Sequence, residues 1–336
     1  MKDLKMKIKD FLTNHGDKIK EFLKIFSFVF ALNLFLLSFV NLITNGTETD
    51  VFYGGDTPRV LQDMTLQDGL HYRTSVHPLF VILTQPFVRI IGKITGVVVA
   101  AVIFEALIGA LSATLFYRFM QKLKVSKKTS LLATIILTFS FTQVAFNSIF
   151  ETYVFSQFGL MLMWVIATGL VDKKLELKDY ALLVIAGMGS LAFTLTNIVQ
   201  FLILLTIFLN KNVKHKFIKF GSILLVVLSI TVMLADIQKA FWPSANNFFT
   251  SSINGFILDK NSEEFTYIER TWSVKRVIFQ MNTSFVYQFG LLGGLILEKN
   301  NLINLLGLLG FAIFGLINLY YFFRKKKIFQ EKIYFA

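Results

Sequence analysis

YGGDTPRVLQDMTLQDGLHYRTSVHP, residues Tyr53–Pro78, gathers three aspartates, two arginines and two histidines. The chain turns apolar on either side. Residues 25–43 carry no charged side chain, and several long runs with few charges follow. A helix needs about 20 apolar residues to cross a hydrocarbon layer of ~30 Å. If the flanking runs are membrane helices, Tyr53–Pro78 is the first polar surface the chain presents beyond the bilayer.

Composition supports that premise. The 336 residues are 54% hydrophobic and 16% charged, with 38 Phe. Soluble domains sit near about 45–50% apolar and about 25% charged. Backbone groups in lipid must be paired internally, which leaves helices or a closed barrel. The runs lack the two-residue alternation of barrel strands, so the sequence predicts an all-α fold. Cysteine is absent, which excludes disulfides and thiolate metal sites. The net charge of +13 raises the question of nucleic acid. The basic residues, however, cluster in short connections between apolar runs, as in cytoplasmic loops, and nucleic acid is not an expected partner.

Residues 1–24 interleave lysines with Leu4, Ile8, Phe11, Leu12, Ile19 and Phe22. This pattern suits a cytoplasmic amphipathic segment on an anionic leaflet. The next run is too long for a signal-peptide core, and no small-residue cleavage site follows it, so it is expected to be retained. Crossings are predicted at about 25–43, 96–117, 130–149, 152–171, 220–236 and 302–323. His77–Thr95 holds Pro78 and Pro86 as expected breaks, with Arg89 and Lys93 at helical spacing; it reads as an amphipathic helix on the outer surface or re-entering it. Residues 180–209 are long for one crossing and carry Thr194, Thr196, Asn197 and Gln200 near their middle. Read as two half-length helices, they bring most of the basic connections to one side together with the N-terminus. The expected fold is then a polytopic transmembrane bundle of about eight helices. It has a large amphipathic first outer loop at 45–95, a core over 25–236, an outer loop at 237–300, and a last helix and tail over 301–336. Both termini are expected in the cytoplasm, in the cytoplasmic membrane. Asp56, His77, Glu151 and Asn197 then converge on the outer face.

That order of features resembles the GT-C superfamily of membrane glycosyltransferases, which includes protein O-mannosyltransferases and aminoarabinose transferases. Its members carry an acidic residue soon after the first helix, then a His/Lys-Pro-Pro-Leu-like segment. Here the first falls on Asp56 in Tyr53-Gly54-Gly55-Asp56 and the second on His77-Pro78-Leu79. The single proline departs from the pattern, as does the lack of a second acidic residue after Asp56. Glu151-Thr152-Tyr153 is similar to a further acidic position of the group. The resemblance covers about residues 20–240. It implies a polyprenyl-phosphate-linked sugar as donor and a glycan, lipid or protein as extracytoplasmic acceptor.

Such chemistry needs a carboxylate to take the acceptor's proton and cations to balance charge on the leaving phosphate. Asp56 is the expected general base; it follows two glycines, which let backbone approach a substrate closely. It also precedes Thr57-Pro58, a plausible helix start, so an N-cap role competes. Arg59 and Asp63 stand four apart, as phosphate or substrate ligands or as a surface ion pair. His77 suits the donor phosphate or the acceptor, or serves as an interfacial histidine beside a proline turn. Arg73 reads as a solvated loop charge. Glu151 abuts apolar runs and needs a partner or a task, and is taken as a catalytic carboxylate with Asp56 and His77, unless it only anchors a helix end in water. Asn197 is expected to bind substrate or to pair helices with Gln200. Arg270, beside Trp272, Lys275 and Arg276, is the candidate donor-phosphate ligand, with an interfacial aromatic-basic belt as its alternative. Asp56 with Asp63 or Glu151 has the chemistry for a divalent cation, which some relatives use. A transporter or lipid flippase and a non-catalytic relative are the rival readings.

Overall fold

The computed structural model describes residues 2–44, 57–170, 175–209 and 216–245. Among them the chain forms ten α-helices, two 3-10 turns and no strand. The helices are α1 Lys2–Thr44, α2 Thr57–Thr65, α3 Phe80–Thr95, α4 Val97–Lys122, α5 Lys127–Thr138, α6 Phe141–Phe146, α7 Thr152–Leu170, α8 Leu177–Phe193, α9 Ile198–Leu209 and α10 Lys216–Phe241. The 3-10 turns are Tyr72–Ser75 and Leu195–Asn197.

Among the described residues four helical segments are long and apolar enough to cross a bilayer: Gly16–Val40, Val97–Lys122, Thr152–Leu170 and Phe217–Phe241. The protein is therefore a helical, multi-pass membrane protein. Apolar side chains also coat its outside, including Phe28, Phe35, Ile136, Leu225 and Met233. In water such surfaces are liabilities; against acyl chains they are matched.

α7 packs between α4 and α8, α1 lies along α4, and α10 lies along α8. The amphipathic segment expected over 1–24 runs into the first crossing without a break, as one helix of 43 residues. Pro86 was expected to interrupt its segment, yet it sits inside α3. Gly96 separates α3 from α4 with φ of +85°, a conformation that suits a residue without Cβ. The crossing expected over 130–149 is two helices. The first ends at Thr138 with Phe139 as its C-cap, and Ser140 caps the second, accepting a hydrogen bond from the Gln143 N–H at 3.4 Å. α8 starts on a reciprocal cap in which the Glu176 N–H donates to Asp179 at 2.9 Å.

The stretch 180–209 divides as its polar middle suggests. Thr194 is extended, with φ −159° and ψ 123°. The break releases backbone groups that a continuous helix would pair internally. The segment that precedes α3 takes them up: the Leu79 N–H donates to Ala192 O at 2.9 Å, and the Leu195 N–H donates to Val76 O at 2.9 Å. Residues 76–79 are thereby fastened to the middle of a helix pair far away in sequence. Gln238 of α10 holds the same segment from the other side. It donates to Pro78 O at 3.0 Å and accepts from the Ile82 N–H at 2.9 Å.

Beneath this junction lies an aromatic layer. Phe155 meets Phe80 edge-on at 5.1 Å, Phe193 at 5.6 Å and Phe104 at 5.9 Å. A second apolar cluster fills the other end of the bundle, around Met163, Leu183, Phe201 and Leu204.

Candidate functional site

Arg59 and Asp63 lie on one face of α2, as the four-residue spacing predicts. Arg59 Nη1 donates to Asp63 Oδ2 at 2.9 Å. The pair is not on the surface: the side chains are 10% and 3% exposed. Asp63 Oδ1 faces His71 Nδ1 at 2.7 Å, and the His71 ring is fully buried. Asp63 thus has an arginine on one oxygen and an imidazole on the other. A carboxylate so engaged is a poor candidate for a shared divalent ion. Among the described residues, no group of three or more His, Asp or Glu is placed to hold a metal.

His77 reaches the break in the α8–α9 pair. Its Nδ1 stands 2.6 Å from the carbonyl oxygen of Phe193. A carbonyl can only accept, so Nδ1 carries the proton and Nε2 of the neutral ring is left as an acceptor. Burial pushes the imidazole down to about 4 against the pull of the Phe193 carbonyl; Arg59 and Arg73 push the same way and Asp63 opposes them. Arg73 is half-buried and close enough to act on His77. It is not the fully solvated charge that the sequence suggested.

Asn197 sits in the 3-10 turn of the break. Its Nδ2 donates to Ser156 Oγ on α7 at 2.9 Å and to Ser190 O on α8 at 3.0 Å. It pairs helices and fixes the shape of the break. Gln200 is exposed.

Glu151 occupies the connection between α6 and α7, and is buried at 4% exposure. Its alternative as a helix-end anchor in water is excluded by that burial. Its Oε2 accepts from the Thr152 N–H at 2.8 Å. Its own N–H donates to Glu105 Oε1 at 3.0 Å. Glu105 is a carboxylate inside the α4 crossing, 0% exposed, and its Oε2 has no hydrogen-bond partner. The sequence reading overlooked it. The signal was present: it is the one acidic residue in the run Val97–Met120, and an ionisable group at that depth asks for a task. Four residues on, Gly109 opens the same face of α4. A Cβ there would fall 2.3 Å from Asn147 Oδ1 and 2.5 Å from Asn33 Nδ2. Neither amide atom has a partner. Polar groups from α1, α4 and the α6–α7 connection thus meet inside the bundle.

Two polar groups result, with Phe155 and its ring contacts between them. One joins Arg59, Asp63 and His71, with Arg73 nearby, to His77, which bonds the helix break. The other holds Glu105 and Glu151. Asp56 directly precedes α2 in the chain but lies outside the described residues, as does Arg270. Of the stretch 237–300, expected as an outer loop, only residues to 245 are described, the first five as the end of α10, and the predicted helix 302–323 also falls outside the described residues.

Three comparisons with known proteins give no match, whether to a family model, a curated protein or a solved structure.

Proposed function

We propose that this membrane protein is a glycosyltransferase. It moves a sugar from a polyprenyl-phosphate donor to an extracytoplasmic glycan, lipid or protein acceptor. One observation carries the reading: Arg59, Asp63, His71, Arg73 and His77 are assembled where the first polar segment docks on a broken helix pair. A cationic cluster beside neutral imidazole, bordered by aromatic and apolar surface, suits an anionic headgroup on a long hydrocarbon chain.

In this reading the acceptor oxygen attacks the anomeric carbon. The bond from that carbon to the phosphate oxygen breaks, and polyprenyl phosphate leaves. The acceptor's proton goes to Asp56, assigned by the resemblance of Tyr53-Gly54-Gly55-Asp56 and by its place one residue ahead of α2. Arg59 and Arg73 balance charge on the departing phosphate. His77 presents Nε2 as an acceptor toward substrate hydroxyls. Glu151 belongs to the deeper pair and supports the fold of the site from below. Arg270 remains the outer-loop candidate for the phosphate.

The test is transfer from a radiolabelled polyprenyl-phosphate sugar by the purified chain and by Asp56→Asn. Loss of transfer with normal expression supports the base; full retained transfer by the variant rejects it.

A second reading has its own observation. Transporters place sites at discontinuous helices near the midplane, and α8–α9 is such a pair. Vectorial movement of labelled lipid without sugar transfer would favour a transporter or flippase. Binding without either would favour a non-catalytic relative.

A further inference from the structure

The opposite end of the bundle holds a cavity of about 940 Å3 between α1, the last turns of α4 and the start of α5. Four cations border it: Lys18, Arg118, Lys122 and Lys127. They come from three separate helices, so the cluster is a product of the fold and not of one basic run. Its single carboxylate, Glu21, is already engaged. Tyr117 donates its hydroxyl to Glu21 at 2.5 Å, and Lys127 Nζ lies 3.3 Å from the other oxygen. Gln121 donates to that Tyr117 hydroxyl at 2.7 Å and accepts from Arg118 Nη1 at 3.0 Å. Arg118 is therefore oriented by a hydrogen-bonded chain while spending one of its five donors on it. The remaining lining is apolar, with Phe22, Leu23 and Leu115 among it, and Leu23 is 52% exposed.

We infer that this cavity is a binding site for one anionic phospholipid, its phosphate among Arg118, Lys122, Lys18 and Lys127 and its acyl chains along Phe22, Leu23 and Leu115. Cations and apolar wall in one hollow match an amphiphile with a negative head. A free phosphate would fill a small part of the volume and leave the apolar wall wet. A nucleic acid or a soluble acidic peptide would bring nothing to cover Leu23 at the edge of a membrane crossing. Basic hollows between membrane helices on the cytoplasmic side are suited to anionic headgroups. The site lies at the end of α4 remote from Arg59 and His77, and it stands or falls independently of glycosyl transfer.

The test uses the full chain, purified in detergent and examined by native mass spectrometry against phosphatidylglycerol and phosphatidylcholine. Wild type should hold one phosphatidylglycerol through delipidation and prefer it over phosphatidylcholine. Arg118→Gln with Lys122→Gln should weaken that binding about twenty- to thirty-fold, from roughly one unit of surface electrostatic energy for each charge removed. Arg89→Gln with Lys93→Gln, which removes equal charge from α3, should leave it unchanged. Equal retention of both lipids, or equal weakening by both variants, overturns the site. Displacement by millimolar inorganic phosphate assigns the pocket to free phosphate and overturns the lipid reading. If the Arg118/Lys122 variant fails to fold, a photoreactive phosphatidylglycerol decides on wild type. Labels should fall within residues 18–23 and 115–127; labels only elsewhere reject the proposal.

Discussion

His77 donates from Nδ1 to the carbonyl oxygen of Phe193 across 2.6 Å, joining the first polar segment to the gap between α8 and α9. Phe193 O is one of the groups the helix break sets loose. Val76, His77 and Leu79 between them take up three such groups. The break and the segment therefore form together, because either alone would bury unpaired backbone.

The protonation of His77 gives this junction a pH dependence. Its folded value of about 4 lies below the ordinary 6.5. A depressed value means the unfolded chain binds more protons between those limits, so stability rises with pH across the window. The contribution is complete above pH 6.5 and is lost as pH falls toward 4. Its ceiling is about 3 kcal/mol, from roughly 1.4 kcal/mol for each pH unit. Thermal midpoints in detergent should drop between pH 6.5 and 4 in wild type. His77→Gln should be less stable at pH 7 and show a flatter profile over the same range. A wild-type profile that is flat there, or that matches the variant's, removes His77 as its cause.

Glu105 makes a different demand, because it accepts the Glu151 N–H inside the bundle. Glu105→Ala strands that N–H, at about 1–3 kcal/mol for a buried donor left unmade. Glu105→Gln keeps an acceptor of the same size and should retain most of the stability. Melting of the two variants in detergent checks the order. If alanine is as stable as glutamine, the bond to Glu151 contributes nothing.

The sequence made some of this architecture legible and hid the rest for definite reasons. The apolar runs stood out because lipid permits few charges, and the polar middle of 180–209 announced its division. The division of 130–149 into two helices at Phe139 and Ser140 was missed because apolar length outweighed one capping serine. Pro86 was read as a break, yet α3 continues through it, packed along α4. The Arg59–Asp63 pair followed from spacing, while the His71 partner of Asp63 depends on how the chain folds back after α2. Glu105 was hidden by its own apolar surroundings, since a search for polar clusters passes over a lone carboxylate.

Gln238 fastens α10 to the same junction through two backbone groups, Pro78 O and the Ile82 N–H. It is fully buried. Trp242, one turn later, donates its indole N–H to Gln85 on α3. Gln238→Ala removes both bonds and should lower stability by about 2 kcal/mol, since each buried backbone group loses its partner. Gln238→Glu keeps the acceptor for Ile82 but sets a carboxylate against Pro78 O, and should be worse than alanine above neutral pH. Urea or thermal melts of the three proteins at pH 7.5 test that order; a glutamate variant as stable as wild type contradicts it.

The contact of α7 with α8 gives an asymmetric prediction. A Cβ on Gly159 would fall 2.1 Å from the carbonyl oxygen of Gly189. That neighbour is helix backbone, which cannot swing aside, so Gly159→Ala must push two membrane helices apart. Overpacking of this kind costs about 1–3 kcal/mol. The reciprocal change meets nothing comparable: a Cβ on Gly189 would find Leu162 Cδ2 at 3.6 Å, an ordinary contact. Alanine is also the better helix former by nearly 1 kcal/mol. Gly189→Ala should therefore match or exceed wild type in melting temperature while Gly159→Ala falls below it. The two substitutions add the same methyl group to opposite sides of one interface, so hydrophobicity cannot account for a difference between them. If both variants lose stability equally, the close approach at Gly159 is not where these helices touch.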